Sequence, residues 1–505
     1  MESKLLDAGD QSWSILQDPL LLKIFSELKV NEISACSEVC LNWNRIAQDD
    51  ILWKYLFKRD FLCQKNSSKI NATSGNPKPL ESSWKNEYER LKDRVPRENI
   101  QVLDGHVDEV VHIAFSNDAS EFVSCSKDQY FIIWKKETKD AIPNFLCHCK
   151  QNMGVYGWLQ TYSAQYSPFD TKILVSGVSN ETGGEIAIFV RENNSDTIIH
   201  RVRNQPFDLM GCWFNDSSFI SGSIIWNEET DNFLASVWLC KLQSSSSNNI
   251  HKLERSVELI DLIPEDLFPS EDVSDEIDKQ EISRYTTNEG ANSPHFIQYF
   301  CSNNGQNGDV EDSYLVFVCG DKTYVGHQIG FQRIYKRSNE KYTKPIKILE
   351  MNGQIVGMKI SPNNKYLYVN VRPWESDVNP DRFEAPMISE KIELRKINLT
   401  TMEIEKSRDA IFTGHHGFTP SEGAFYLYVD ASKSFLASGS EDGFGYIWES
   451  NYGVLLEKLC GHSECVNCVV FDPIDEEICV TASDDHTLQI FISNRKKRFI
   501  SKNDD

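Results

Sequence analysis

One stretch near the C-terminal end constrains the fold more than any other: GHSECVNCVVFDPIDEEICVTASDDHTLQIF, running from Gly461 to Phe491. Three short apolar runs, around Val466–Phe471, Ile478–Ala482 and Leu488–Phe491, alternate with turn residues, among them Asp484 and Asp485. That is the pattern of three antiparallel strands. The unit recurs at Gly105–Trp134 and, more loosely, in the segment that ends at Trp448. In each copy an Asp stands six residues before the closing aromatic: Asp128 and Trp134, Asp442 and Trp448, Asp485 and Phe491. A Gly-His start and an aromatic end, repeating at roughly forty residues, is the signature of a propeller blade.

These copies resemble the WD-repeat family. In that family the His of Gly-His, a Ser or Thr on the second strand, the turn Asp and the Trp form one buried hydrogen-bonded network. The resemblance implies three such sets here: His106, Ser124, Asp128 and Trp134; His415, Ser438, Asp442 and Trp448; and His462, Thr481 and Asp485, with Phe491 in the Trp position. Phe has no N–H, so the third set is one donor short. A buried Asp or His is destabilising by several kcal/mol unless paired, so a closed network locks the turn once its partners meet.

Between the clear copies the chain carries weaker strand pairs. Ile173–Gly177 and Gly184–Val190 belong to a second blade; Leu209–Phe214, Ser218–Ser221 and Phe233–Leu239 to a third; Tyr314–Gly320 and Ile329–Tyr335 to a fourth; Gly353–Ile360, Lys365–Val371 and Lys391–Leu399 to a fifth. The expected fold is therefore an all-β WD40 propeller of seven blades over residues 99–500, with an acidic, disordered insert at about 241–312. An eighth blade would need a hidden strand pair around Phe145. The last blade has three strands of its own, and Ile100–Leu103 is a spare strand before the first. Pairing the two closes the ring and removes two sheet edges.

Upstream, the pattern switches to helices. Asp18-Pro19 is a helix start, and Leu20, Leu21, Ile24, Phe25 and Leu28 follow as one stripe. Asn31 and Asp49 or Asp50 are candidate caps for further helices, the last with Ile51, Leu52, Tyr55 and Leu56 on its apolar side. Residues 66–82 read as a loop. Trp84, Tyr88, Leu91 and Val95 mark one more helix, expected to connect the two parts as a rigid packing element. The expected divisions are a helical domain at 12–58, a loop and connector helix at 59–98, and the propeller from 99.

The helical segment, from about Trp13 to Phe57, resembles an F-box: Leu16-Gln17-Asp18-Pro19 at its start, Val39-Cys40-Leu41-Asn42-Trp43, then Leu52-Trp53, with Gln17 where the family prefers Pro. The resemblance implies docking on the Skp1 adaptor of a cullin-RING ubiquitin ligase, with Pro19, Leu20, Ile24, Leu28, Val39, Cys40, Trp43 and Trp53 as the adaptor-binding set, some of them core rather than contact. An F-box followed by a degenerate propeller is similar to the F-box/WD family. This implies a non-catalytic substrate receptor of an SCF ligase that recruits protein substrates. The alternatives are a non-catalytic scaffold, or a receptor for cullin-4 ligases through their propeller adaptor. The latter role is tied to Trp-Asp-x-Arg, and neither Trp134-Lys135-Lys136-Glu137 nor Trp448-Glu449-Ser450-Asn451 keeps the Arg.

Substrate is expected on the face where the second blade hands over to the third and where the second strand of the fifth blade ends. Arg203, Asn204, Arg372 and Trp374 fall there, an Arg-and-aromatic rim suited to an acidic or phosphorylated segment. The net charge of -23 argues against nucleic acid or anionic membrane as partners. The 14 cysteines show no zinc spacing. Nothing reads as a nucleophile elbow, a phosphate loop or a paired-carboxylate site, so neither metal nor cofactor nor catalysis is expected. With no signal-like or spanning segment, the expected location is the cytoplasm.

Overall fold

The computed structural model describes residues 16–62, 78–139, 142–180, 183–192, 195–204, 211–227, 232–242, 255–262, 297–301, 313–319, 327–334, 345–375, 387–407, 410–420 and 426–501. The chain divides into two compact units between Val95 and Pro96, ahead of the expected limit at residue 98.

The first unit is helical. Helix α1 (Asp18–Glu27) buries Leu21 and Phe25, α2 (Val30–Ser37) buries Ile33, and α3 (Leu41–Ala47) buries Ile46 and Ala47. Helix α4 (Asp50–Phe57) is capped by Asp49, whose carboxylate accepts from the Ile51 N–H at 2.8 Å, an N-cap contact that satisfies one of the orphan donors of the first turn. The cap expected at Asn31 is not used; α2 starts earlier, with Lys29 as its N-cap residue. Helix α5 (Trp84–Asp93) is capped by Ser83 and packs on α4. Phe57 meets Trp84 at 4.9 Å and Trp53 meets Tyr88 at 5.3 Å. The expected connector is thus a core helix of the first unit.

This pairing also sets the face of α4. Leu52, Trp53, Leu56 and Phe57 are buried while Ile51 and Tyr55 are exposed. The stripe sits one residue later than the Ile51–Leu52–Tyr55–Leu56 reading, because α5 offers rings that Trp53 and Phe57 can cover. Each such side chain removed from water contributes about 1.5–3 kcal/mol.

The second unit is a ring of seven antiparallel sheets. Blade 1 spans Val110–Asn152, blade 2 Trp158–Arg203, blade 3 Cys212–Leu262, blade 4 Ile297–Glu350, blade 5 Gly353–His416 and blade 6 Val429–Leu459. Blade 7 has three strands from Val466 to Ser493, and its fourth is the strand Pro96–Asp104, which pairs antiparallel with Thr487–Ser493. Leu103 lies opposite Leu488, so the spare strand closes the ring as expected. Phe145 sits in the outer strand of blade 1 and no eighth blade is needed.

Side chains bolt the closing strand to both neighbours. The Gln101 amide donates to and accepts from the backbone of Phe145 in blade 1, at 2.8 and 2.9 Å. Arg97 pairs with Glu457 of blade 6 at 3.3 Å. A C-terminal helix, α6 (Asn494–Ser501), follows blade 7 and reaches back through Lys497 to Glu98 at 2.5 Å.

The expected insert at about 241–312 is not one insert. Arg255–Leu262 is the outer strand of blade 3, and Ile297–Cys301 is the inner strand of blade 4. Backbone pairing needs no long apolar run, so the acidic context of Arg255–Leu262 and the polar flanks of Ile297–Cys301 hid these strands. The expected disorder of residues 263–296 lies outside the described residues.

Two of the three buried networks form with the expected partners. In blade 1 the His106 Nδ1–H donates to Asp128 at 2.9 Å, Nε2 faces the Ser124 hydroxyl at 2.8 Å, and the Trp134 indole N–H donates to the same Ser124 oxygen at 2.9 Å. Asp128 also accepts from the backbone N–H groups of Val107 and Tyr130. Burial pushes its carboxyl up, but these bonds and the His106 partner hold it below the usual carboxylate range. In blade 7 His462 lies 2.8 Å from Asp485 and 2.7 Å from Thr481, and the Phe491 position supplies no donor.

The blade 6 set differs from expectation. His415 points away from Asp442: its Nε2 meets Asn370 Oδ1 of blade 5 at 3.0 Å, and the Asn370 amide donates to Ser438 at 2.7 Å. The Trp448 N–H goes to the Thr413 carbonyl at 3.1 Å. The Asp442 carboxylate instead accepts from the hydroxyl of Tyr446, four residues later, at 2.6 Å, and the histidine beside it is His416, at 3.4 Å. Asn370 therefore converts a contact within one blade into a bridge between two. Blade 2, which lacks Gly-His, has its own solution: buried Glu185 accepts from the Trp158 indole and from Arg201, both at 2.6 Å.

Candidate functional site: an exposed apolar face on the helical unit

The eight residues singled out for adaptor binding separate by burial. Leu20 is 53% exposed and Ile24 40% exposed, one helical turn apart on the outer side of α1, with Leu21 and Phe25 on its inner side. Pro19 and Val39 are exposed, while Leu28, Cys40 and Trp43 are half-buried. The Trp43 ring meets Phe25 edge-on at 5.6 Å, so it belongs partly to the core. Trp53 does not face outward. It is 4% exposed, and its indole N–H donates to the Ala47 carbonyl at 2.8 Å. A buried Trp needs such a partner, and its role is to tie α4 to the end of α3.

Three exposed apolar residues outside that set are Leu41, at the first position of α3, and Ile51 and Tyr55 on α4. Leu41 carried a signal in the sequence. An apolar residue at the start of a helix whose inner face is already filled by Ile46 and Ala47 has no internal use. Arg45 of α3 pairs with Asp18 of α1 at 2.5 Å, which places α3 beside the first turn of α1. Arg59, after α4, donates to the Ser26 and Leu28 carbonyls at 2.6 and 3.0 Å and so closes the end of α1. The helices are fixed by these contacts, yet Leu20, Ile24, Val39 and Leu41 remain in water. Apolar groups held out on a rigid unit of this size mark a docking face.

The four propeller residues behave differently. Arg203 is exposed at the end of the outer strand of blade 2. Asn204 is buried, and its side-chain oxygen accepts from the Gly222 N–H at 2.9 Å, joining blade 2 to blade 3. Arg372 is 3% exposed and donates to the Ser389 carbonyl at 3.2 Å and the Thr419 carbonyl at 2.5 Å. Burial pushes its guanidinium below the usual value, with Glu441 and Glu390 opposing. Trp374 is half-buried and paired with Ile388. Asn204 and Arg372 therefore hold loops in place and are not open to a substrate. A guanidinium whose donors face backbone carbonyls has little fork left for a carboxylate.

Among the described residues no group of His, Cys, Asp or Glu is placed to hold a metal ion, and no helix is long and apolar enough to cross a membrane.

Family models place these observations. Residues 16–59 match the F-box-like model, and residues 97–135 and 453–491 match the WD domain, G-beta repeat model. The chain is 29% identical to F-box/WD repeat-containing protein 5 of Mus musculus over 563 residues, covering 96% of this chain and 95% of that protein. The protein of the same name in Homo sapiens is 29% identical over 566 residues with the same coverage. Along nearly its whole length the chain is similar to the F-box/WD repeat-containing proteins. A WD repeat-containing protein WDS homolog of Arabidopsis thaliana, 23% identical, covers 79% of the chain and 58% of the relative. The F-box-like match covers α1 to α4 and ends at Arg59. Helix α5, which completes that core, lies beyond the match. The second WD match ends at Phe491, the aromatic of the closing blade.

Proposed function

We propose that this chain is the substrate-recognition subunit of an SCF-type ubiquitin ligase, in which the helical unit docks on Skp1 and the propeller recruits protein substrates. The observation that carries the reading is the exposed apolar face, Leu20, Ile24, Val39 and Leu41, on an F-box-like unit continuous in sequence with a closed seven-bladed ring. Covering that face with an adaptor removes apolar surface from water and fixes the receptor to the ligase. The chain then supplies no reacting group. It acts by raising the local concentration of substrate lysines near the charged conjugating enzyme. The reading places its work in the cytoplasm, which imaging of the tagged full chain in living cells checks.

Affinity purification from cells with cullin neddylation blocked tests the reading, comparing the full chain with residues 96–505. The full chain should bring down Skp1 and a cullin, and the shorter chain neither, while both retain the same further proteins. Recovery of no adaptor by the full chain contradicts the proposal.

A further inference from the structure

In a propeller, the loops between second and third strands and those leading from one blade to the next share one face. On that face, over blades 5 and 6, the described ends of two loops are tied by hydrogen bonds. The first leaves the second strand of blade 5 and returns through Met387. Its two described ends pair with each other: the Glu375 N–H donates to the Met387 carbonyl at 2.8 Å, Trp374 pairs with Ile388, and the Ser389 N–H donates to the Pro373 carbonyl at 2.9 Å. The second loop leaves the outer strand of blade 5 through Gly417 and Phe418. Its Gly417 N–H donates to the Glu390 carbonyl at 2.9 Å, which places it against the first loop.

Buried Arg372 joins the two loops, with one carbonyl from each, Ser389 and Thr419. Glu441 of blade 6 caps the second loop from the other side, accepting from the N–H groups of Phe418 and Thr419 and from the Thr419 hydroxyl. Two large apolar side chains nevertheless face water: Met387 is 73% exposed and Phe418 51% exposed. The His416 ring stacks on Phe418 at 5.9 Å, which fixes the Phe ring in place. Apolar and aromatic side chains on a scaffold that does not need to reorganise are the makings of a hot spot, because little ordering entropy remains to be lost on binding.

Carboxylates outnumber cations around this pair among the described residues. Glu375 and Glu390 flank Met387 and are exposed, and Glu441 adjoins Phe418. The same face continues over blade 7 with Glu464 and Asp484, and over blade 1 with Glu109. Burial and the nearby Glu109 and Glu464 push the Asp484 carboxyl up, the mark of carboxylates crowded together. Of the cations among the described residues on this face, Arg372 is buried against carbonyls, Lys127 pairs with Glu109 and Lys458 lies over the Phe444 and Tyr446 rings, while Lys391 and, over blade 2, Arg203 are exposed.

We propose that this face takes a protein segment with an apolar side chain, seated on Met387 and Phe418, flanked by Lys or Arg residues that meet the surrounding carboxylates. The inference rests on the substrate-receptor reading and names the class of substrate segment. It reverses the acidic or phosphorylated segment suggested by Arg203 and Arg372 in the sequence. Charge complementarity selects the occupant: a carboxylate or phosphate placed here meets like charge, whereas lysines beside an apolar anchor meet opposite charge.

The test uses the full chain and four fluorescein-labelled peptides of about a dozen residues, followed by anisotropy at low and moderate salt. The peptides carry Leu between lysines, Ala between lysines, Leu between glutamates, and phosphoserine between glutamates. The first should bind at least about tenfold more tightly than each of the others and weaken as salt rises. Phe418→Ala with Met387→Ala should lower its affinity about tenfold, and Glu375→Gln with Glu390→Gln should lower it several-fold and flatten the salt dependence. Both sites are exposed, so a thermal melt should be unchanged; if Phe418→Ala lowers it, Met387→Ser alone is the variant read. Preference for either acidic peptide, binding of none, or affinity indifferent to these variants overturns the proposal. So does self-association of the full chain that Phe418→Ala abolishes, which would assign the face to a second copy. Skp1 co-elution from the same sample separates the two readings. Its retention with no peptide preference rejects this site alone, and its loss in the wild-type chain rejects the receptor reading.

Discussion

Replacing Ser124 with Ala should destabilise the propeller about twice as much as replacing Thr481 with Val. The two hydroxyls hold matching positions, but their partners differ in number. Ser124 serves both the Trp134 indole and His106 Nε2, at 2.9 and 2.8 Å, in a fully buried site. Thr481 has one short partner, His462 Nε2 at 2.7 Å, and reaches the Gln489 carbonyl only at 3.4 Å, because the ring at the closing position is Phe491 and brings no indole N–H. Leaving a buried polar group without a partner destabilises by about 1–3 kcal/mol. Ser124→Ala leaves two such groups, a total of about 2–6 kcal/mol, and Thr481→Val leaves one. Both changes remove a hydroxyl and nearly conserve volume otherwise, so cavity terms are small. The assay is urea unfolding of residues 96–505, with the change in midpoint converted at constant m. A Trp134→Phe background sharpens it. There the indole N–H is gone, and Ser124→Ala should shrink to the size of Thr481→Val. Equal losses for the two single variants, or an undiminished loss in the Phe background, would refute the reasoning that each buried donor must be matched.

Acid should loosen the propeller from the histidine side. Burial, and then the neighbouring His416, hold His415 down to about 3, and burial, then Lys359, hold His112 at about 3. Both are depressed, so the unfolded chain, with imidazoles near about 6.5, takes up protons first. The stability they support is complete above about pH 6.5 and falls as pH drops from there toward 3, by about 1.4 kcal/mol per unit for each group. His415→Gln, which keeps a donor for Asn370, should flatten the fall in urea midpoint between pH 7 and pH 5; an unchanged slope would exclude His415 as a contributor. Arg372→Ala should lower stability by roughly 3–5 kcal/mol through two lost charge-assisted bonds, visible as a lower melting temperature; a wild-type melt would return Arg372 to the list of binding residues. A propeller chain starting at Asp104 in place of Pro96 loses the strand paired with Thr487–Ser493, and should be expanded or insoluble by light scattering. A melt as cooperative and as high as that of the longer chain would show that closure is not needed.

How much was legible depended on whether a side chain reported its partner. Blades 1 and 7 could be read because His, Ser or Thr, Asp and aromatic keep fixed offsets, and those offsets are the geometry of one turn. The blade 6 network could not, since its outcome depends on Asn370, 45 residues before His415, and on a tyrosine that reaches back to its own turn Asp. The helical unit showed its elements but not its inner faces. Stripes one residue apart on α4 are both apolar, and the rings of α5 decide between them. Arg372 and Trp374 had the composition of a binding rim, and composition does not register that two backbone carbonyls already face the guanidinium. The outer strand Arg255–Leu262 was hidden for the opposite reason: its place is set by hydrogen bonds to Ala235–Cys240, which no residue type announces.

The central claim is that the helical unit carries an adaptor-docking face. Leu20→Asp with Ile24→Asp tests it most directly, because both side chains are exposed and the inner face of α1 is left intact. A charge carried into a desolvated apolar contact opposes binding by several kcal/mol, and about 1.4 kcal/mol is tenfold in affinity. Titration of purified Skp1 into the full chain should therefore show at least about a hundredfold weaker binding for the double variant, with the thermal melt unchanged. Wild-type affinity in a folded double variant would contradict the account.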